Sequence, residues 1–341
     1  MEFMNRIQRQ DICEFACNFT LSKNLRNSDI LVTGATGLIG STLVRCLLAL
    51  NENIRICCPV RNKDKAISMY GETDSSLSFV ESDLLEFTEN LKGDFKYIIH
   101  CASPTDGKYM ASNPVETYEL STDTTRNLLR YAKEHKDCSM VYISSLEYYG
   151  QIFEEKTITE DQQGYIDIKS PRSSYPLGKR SAEYLCRAYA MEYGVNVKTA
   201  RLTQTFGAGV AANDNRVFAQ FARSIISGND IIMHTDGTSA KPYVYTTDCI
   251  RAILYILIKG KNGESYNVAN DDTYISIKEL AYFLRDEFNP SIKVRFEKNT
   301  EMKYAPTTKL KLSSEKLRQL GWKPLYGLKE MFERLINSMK E

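Results

Sequence analysis

A strand that runs directly into a glycine turn constrains this chain more than any other feature. Asp29-Ile30-Leu31-Val32-Thr33 reads as a buried strand, and Gly34-Ala35-Thr36-Gly37-Leu38-Ile39-Gly40 follows at once. Apolar residues then recur at helical spacing from Leu38 to Leu50. A tight turn of this kind needs positive φ, which glycine adopts without strain. A pyrophosphate needs bare backbone at a helix N-terminus, where N–H groups point outward. The third glycine, Gly40, lets the helix pack close to the sheet.

The rest of the chain repeats this rhythm. Further strands are expected at Ile54–Val60, Leu77–Val80, Tyr97–His100, Met140–Ile143 and Val195–Arg201. Helices are expected at Lys65–Tyr70, Pro114–Glu134 and Tyr175–Tyr193. Alternating strands and helices predict an α/β fold, a doubly wound parallel sheet with helices on both faces. After Gly207 the segments shorten and mix, with a helix at Phe218–Ile226 and strands at Tyr243–Tyr245 and Tyr266–Val268. Three regions follow. Residues 1–29 form a helical extension docked through Ile7, Ile12, Phe15 and Phe19; residues 30–207 form the dinucleotide-binding domain. Residues 208–341 form a smaller mixed α/β C-terminal substrate lobe, interleaved with the core.

Composition narrows the function. With 341 residues, 43% of them hydrophobic, the chain can bury a sizeable core. Lys+Arg number 44 and Asp+Glu 43, so no basic excess exists for a nucleic-acid backbone. Nine cysteines occur without paired CxxC units, and there are three histidines. That pattern predicts reduced thiols in a cytoplasmic compartment and no metal site. No apolar leader is seen, and Ala252–Ile258 is too short to cross a bilayer, so no membrane partner is expected.

The GxxGxxG spacing, with Thr33 and Thr36, resembles the extended short-chain dehydrogenase/reductase family, the nucleotide-sugar epimerases and dehydratases. The resemblance runs from about Ile30 to Leu328. It implies a Rossmann sheet whose Gly34, Thr36, Gly37, Leu38, Ile39 and Gly40 hold the dinucleotide. It also implies an adenine contact at Asp83 and Leu84, and a cofactor-lining turn at Cys101-Ala102-Ser103. His100 reads as a packed strand-end residue. Where an acidic residue would bind the ribose hydroxyls, the chain has Arg61, which can accept a 2′-phosphate. NAD and NADP therefore both stay open, with NAD preferred.

Tyr-x-x-x-Lys puts a phenol and an ammonium on one helix face. The ammonium, helped by an oxidised nicotinamide, stabilises the phenolate, which can take a hydroxyl proton while hydride leaves carbon. The pattern occurs four times, at Tyr165/Lys169, Tyr175/Lys179, Tyr255/Lys259 and Tyr274/Lys278. Context selects Tyr175/Lys179. That pair opens a clear helix 30 residues after a strand ending in Ser144-Ser145, and Ser145 can hydrogen-bond the reacting oxygen. The family also places a Ser or Thr four residues before a Tyr-Gly pair, here Tyr149-Gly150. Ser121 stands where relatives often carry a proton-relay asparagine.

The resemblance also bears on the reaction. Glu147 follows Ser145 by two residues, but Leu146 replaces the aspartate of 4,6-dehydratases. UDP-glucuronate decarboxylases keep a glutamate there and an arginine in a Pro-Arg-x-x-Tyr-x-x-Gly-Lys-Arg run. This chain reads Pro171-Arg172-Ser173-Ser174-Tyr175-Pro176-Leu177-Gly178-Lys179-Arg180. Arg172 can grip a carboxylate or phosphate bidentately. Substrate contacts are expected at Thr203 and Gln204, at Asn215, Arg216 and Phe218, and at Lys241, which takes the place of a diphosphate-binding arginine. The expectation is an NAD(P)-dependent nucleotide-sugar enzyme that starts with hydride transfer at sugar C4, a redox-neutral epimerase or decarboxylase. The alternative is an NADPH-dependent 4-keto nucleotide-sugar reductase, which Arg61 would favour. Relatives dimerise through two long helices, here about 112–134 and 175–193, so a homodimer is expected.

Overall fold

The computed structural model describes residues 4–71, 75–297 and 307–341. Helix α1 (Arg6–Asn18) precedes β1 (Asp29–Thr33), the glycine turn and α2 (Leu38–Ala49). There follow β2 (Arg55–Val60), α3 (Lys63–Tyr70), β3 (Leu77–Glu81), α4 (Leu84–Glu89), β4 (Tyr97–His100), α5 (Gly107–Ser112) and α6 (Pro114–Glu134). Then come β5 (Ser139–Ser145), β6 (Thr157–Ile158), α7 (Ser174–Tyr193), β7 (Asn196–Leu202) and β8 (Gln204–Phe206). The remaining elements are α8 (Val217–Ser227), β9 (Ile231–Met233), β10 (Ala240–Tyr245), α9 (Thr246–Lys259), β11 (Ser265–Val268) and β12 (Asn270–Ser276). The chain closes with α10 (Ile277–Phe288), β13 (Val294–Phe296), β14 (Lys311–Leu312), α11 (Glu315–Arg318) and α12 (Leu328–Lys340).

Seven parallel strands form the large sheet in the order β3-β2-β1-β4-β5-β7-β11. This is the doubly wound arrangement that the alternation predicts. Side chains alternate between faces along a strand. Ile30 and Val32 of β1 pack with Val44, Leu47 and Ile253 on one face. Leu31 packs with Ile98, Met140, Leu128 and Ala182 on the other. The strand order reverses between β1 and β4, which opens a crevice at the carboxyl ends of the strands.

The chain leaves this sheet after β7 and returns to it. A three-stranded sheet, β12-β10-β8, and the pair β13-β9 build the smaller lobe around Phe206, Phe218, Phe332 and Leu284. Helix α9 then lies back on the large sheet, with Ile250, Ile253 and Leu254 in the same core as Ile30. Strand β11 adds an edge beside β7. Several elements are shorter than sequence patterning can register: β6 and β14 have two residues each, and β8 has three.

The glycine turn needs its glycines. Gly34 has φ +73°, and a Cβ there would lie 2.9 Å from the Ala102 backbone. A Cβ on Gly40 would lie 2.2 Å from the Gly34 carbonyl oxygen. Helices α6 and α7 also cross closely, with a Cβ on Gly178 falling 3.1 Å from that of Ser121. Gly40→Ala is expected to destabilise the fold by about 1–3 kcal/mol, as forced overpacking does. Its thermal midpoint should fall clearly below that of the wild type; an unchanged midpoint would contradict the close approach.

Candidate active site

The carboxyl end of β5 carries Ser145, whose Oγ accepts the Glu147 N–H at 3.2 Å and starts a short 3₁₀ turn, Leu146–Tyr149. The Ser145 hydroxyl also lies within hydrogen-bond reach of the Tyr175 phenol. Tyr175 and Lys179 come from the first turns of α7, which begins beside this strand end. Lys179 Nζ is buried and donates to the Ile143 carbonyl at 2.8 Å. It lies 5.6 Å from the centre of the Tyr175 ring and 4.9 Å from that of Tyr142. Ser145, Tyr175 and Lys179 thus meet in one place.

Burial shifts both groups toward neutrality. It raises Tyr175 to about 12, and the Glu147 carboxylate adds to the rise; the Ser145 and Ser103 hydroxyls and Arg172 pull the other way. It lowers Lys179 to about 8. Burial therefore favours the protonated phenol, and its ionisation calls for added positive charge nearby. Ser103 Oγ is buried and makes no hydrogen bond of good geometry, so a donor remains beside the phenol.

A charged cluster sits next to this centre. Arg172, on a short 3₁₀ turn before α7, donates to Glu147 Oε1 at 2.9 Å, and both side chains remain about a third exposed, 35% and 37%. Lys241 arrives from β10 in the smaller lobe. Its ammonium is lowered first by burial, and the charges acting on it are Glu147 and Arg172. Among the described residues it forms no hydrogen bond or ion pair. Two cations thus face one carboxylate, and Arg172 Nη1 is buried without a partner. The cluster has the charge and the free donors for an additional anion.

The turn that carries Glu147 is fixed from behind. Arg180 donates to the carbonyls of Tyr148 at 2.6 Å, Tyr149 at 3.1 Å and Gly164 at 2.8 Å. Buried Arg201 pairs with Glu183 and donates to the Tyr149 hydroxyl at 2.9 Å, which in turn donates to Asn267. These supports went unassigned in the sequence. Their signals were the Tyr149-Gly150 pair and the arginine that follows Lys179.

The glycine turn has the features a dinucleotide requires. Gly37 caps α2 without any side-chain hydrogen bond, so the N–H groups of its first turn stay open. Thr36, Leu38 and Ile39 are partly exposed around it. Cys101-Ala102-Ser103 faces the turn, with Ala102 N–H donating to Thr33 Oγ1 at 3.1 Å. Arg61 is exposed just past β2, and Asp83 is exposed just past β3, where its carboxylate caps α4 at the Leu85 N–H, 2.8 Å. Leu84 opens that helix. His100 is a buried structural residue. Thr124 gives its proton to the Leu120 carbonyl, so it accepts from His100 Nε2 at 3.1 Å, and Nδ1 accepts from Thr33 at 2.7 Å. Burial lowers His100 to about 3, which keeps it neutral. Ser121 donates to its own helix at Thr117, so no relay side chain reaches the site from there.

The substrate contacts expected in the lobe divide. Thr203 commits its hydroxyl to the Pro242 carbonyl at 2.6 Å, while Gln204 is half-buried at the start of β8. Arg216 is exposed and pairs with Asp214 at 2.6 Å. Asn215 lines a separate open hollow of about 410 Å³ with Gln220, Arg223 and His234. Phe218 corrects the expectation. It is 1% exposed and stacks on Phe206 with ring centroids 4.8 Å apart, so its ring belongs to the lobe core and is closed to a ligand.

A family model described as "NAD dependent epimerase/dehydratase family" matches residues 30–269. UDP-glucuronic acid decarboxylase 6 of Arabidopsis thaliana is 28% identical over 307 residues, 89% of this chain and 86% of that protein. UDP-glucuronic acid decarboxylase 1 of Danio rerio is 26% identical over 339 residues, 96% of this chain and 78% of that protein. Among solved structures, UDP-glucose 4-epimerase of Thermotoga maritima superposes with a TM-score of 0.78 at 20% identity, covering 92% of this chain and 98% of that one. UDP-glucuronic acid 4-epimerase of Bacillus cereus gives 0.76 at 23% identity, covering 92% and 99%. Likeness at such identities shows the fold. Replacing Tyr175 by Phe or Lys179 by Met should lower turnover by about 10²–10⁴, the usual worth of positioned acid–base groups. Gly37→Ala, whose Cβ would meet only the Gly34 carbonyl at 3.4 Å, should instead keep its thermal midpoint and lose affinity for NADH in a fluorescence titration.

Proposed function

The chain belongs to the NAD dependent epimerase/dehydratase family, and on that premise we propose that it decarboxylates a nucleoside diphosphate hexuronate such as UDP-glucuronate. The observation that carries this reading is the Glu147–Arg172–Lys241 cluster beside Ser145 and Tyr175, with one excess positive charge and an unpartnered guanidinium nitrogen. A sugar carboxylate would complete it. The relatives named as UDP-glucuronic acid decarboxylases support the same choice. A net 4-ketoreductase is not favoured.

NAD, when bound, supplies the hydride acceptor for sugar C4 and later the donor. Tyr175, as phenolate, takes the C4 hydroxyl proton, and Ser145 donates a hydrogen bond to the same oxygen. Lys179 favours the phenolate electrostatically. The resulting 4-ketone makes the substrate a β-keto acid. The bond between C5 and the carboxyl carbon breaks, carbon dioxide leaves, and its electron pair passes into the enolate at C4. C5 then gains a proton, C4 is reduced again, and Tyr175 returns its proton to the C4 oxygen. Arg172 and Lys241 hold the carboxylate before it leaves, and Glu147 keeps Arg172 in position.

The dinucleotide would lie along Gly34–Gly40, Asp83, Leu84 and Cys101–Ser103. Arg61, exposed and without an ion-pair partner among the described residues, is read as a loop charge beside the adenosine. A homodimer through α6 and α7 is supported by Val115, Tyr184 and Met191, which are 60%, 72% and 75% exposed on that pair of helices. Nine free cysteines support a reducing, cytoplasmic setting. No helix among the described residues is long and apolar enough to cross a membrane.

The wild type should release one carbon dioxide per UDP-glucuronate consumed, with NAD needed only in catalytic amount. A product that keeps its carboxylate would assign an epimerase instead. Glu147→Gln tests the electrostatics separately. The carboxylate favours the neutral phenol, so its removal should move the pH limb of NADH formation to lower pH. A limb that stays in place would remove Glu147 from the neighbourhood of the reacting phenol.

A further inference from the structure

Helix α1 lies upstream of the segment matched to the family, yet it joins both parts of the molecule. Ile12 and Phe15 are buried in the core of the large sheet, together with Ile30 and Val32. From the same helix, Asp11 reaches the smaller lobe. It is 4% exposed; its Oδ2 accepts from the Tyr245 hydroxyl at 2.6 Å and its Oδ1 from Arg334 of α12 at 2.6 Å. Glu14, one turn on, accepts from Arg334 and from the Tyr326 hydroxyl at 2.8 Å.

Tyr245 passes this grip onward. A carboxylate has no proton to give, so the phenol must donate to Asp11. Its remaining lone pair accepts the Ala208 N–H at 3.3 Å. Ala208 stands in the turn that leaves β8, two residues past Phe206, on the way to Asp214 and Arg216. The turn has little freedom. A Cβ on Gly207 would come 3.0 Å from the Tyr245 ring, and a Cβ on Gly209, where φ is +94°, would come 2.3 Å from Gln8 of α1. The turn is held between Tyr245 on one side and α1 on the other.

We propose that α1 is a strap that sets the substrate side of the site, with Asp11 a positioning residue that acts through Tyr245 on the 207–210 turn and so on the lobe's grip of a nucleoside diphosphate. The proposal rests on the reading of the lobe as the nucleotide-sugar side. It concerns binding and leaves the chemistry at Tyr175 untouched.

Tyr245→Phe keeps the ring packing and removes the one oxygen that links Asp11 to Ala208. Asp11→Asn keeps the shape and removes the charge. In the intact protein, both should speed amide hydrogen exchange across 204–216 and leave exchange across 34–40 unchanged. Both should also weaken binding of UDP about fivefold in calorimetry, the worth of one hydrogen bond, with kcat and NADH affinity unchanged. Unchanged exchange across 204–216, or unchanged UDP affinity in both variants, overturns the proposal. Failure of the wild type to bind UDP would instead count against the functional reading; the exchange measurement needs no substrate and still decides whether α1 sets the turn.

Discussion

Everything in this molecule is built around two glycines that have no room for a side chain. The Gly40 Cα sits so close to the Gly34 carbonyl that a Cβ would reach within 2.2 Å of it, and Gly34 itself presses on the Ala102 backbone. The first contact brings α2 down onto β1 and leaves its N-terminus open. The second sets the turn after β4 against the turn after β1. Because β1, β4 and β5 run parallel and adjacent, their carboxyl ends then share one edge. Ser145, Lys179 and Tyr175 collect at that edge, and the lobe brings Lys241 to it from β10.

The fold was legible because its strands are buried on both faces. The runs at 29–33 and 97–100 end where the structure ends them, since continuous apolar strands between glycine and polar breaks leave little ambiguity. The lobe was less legible. Its strands are short, and although interleaving with the core and a strand at Tyr266–Val268 were expected, periodicity does not say that α9 and β11 are the elements that rejoin the large sheet. The meeting of Ser145, Tyr175 and Lys179 was readable from the position of Tyr175 and Lys179 relative to a strand end. The meeting of Glu147, Arg172 and Lys241 was not, because three separate elements deliver them and only the tertiary fold joins them. Phe218 misled for a related reason: an aromatic residue near a ligand motif fits a base or a core equally well, and Phe206 decides for the core. Asp11 gave no signal at all. It lies among the apolar positions of an amphipathic helix, and nothing local says that Tyr245 and Arg334 wait for it.

The electrostatics follow a consistent logic. Burial pushes a phenol up and an ammonium down, so Tyr175 and Lys179 move apart and the neutral form of each is favoured until positive charge is added nearby. Lys179 keeps its place by a carbonyl rather than an ion pair, 5.6 Å from the centre of the Tyr175 ring. The counter-charge, Glu147, is held off by Arg172 in a part-exposed pair. One fold therefore keeps Tyr175 and Lys179 largely buried and the Glu147–Arg172 pair part-exposed, side by side.

The central claim is that hydride leaves C4 and returns to it while the carboxylate is lost between the two events. A substrate carrying deuterium at C4 tests this most directly. Product analysed by mass spectrometry and NMR should retain the deuterium at C4, with a single solvent-derived hydrogen at C5. Loss of the C4 label, or its accumulation in reduced cofactor, would contradict a self-contained redox cycle at this site.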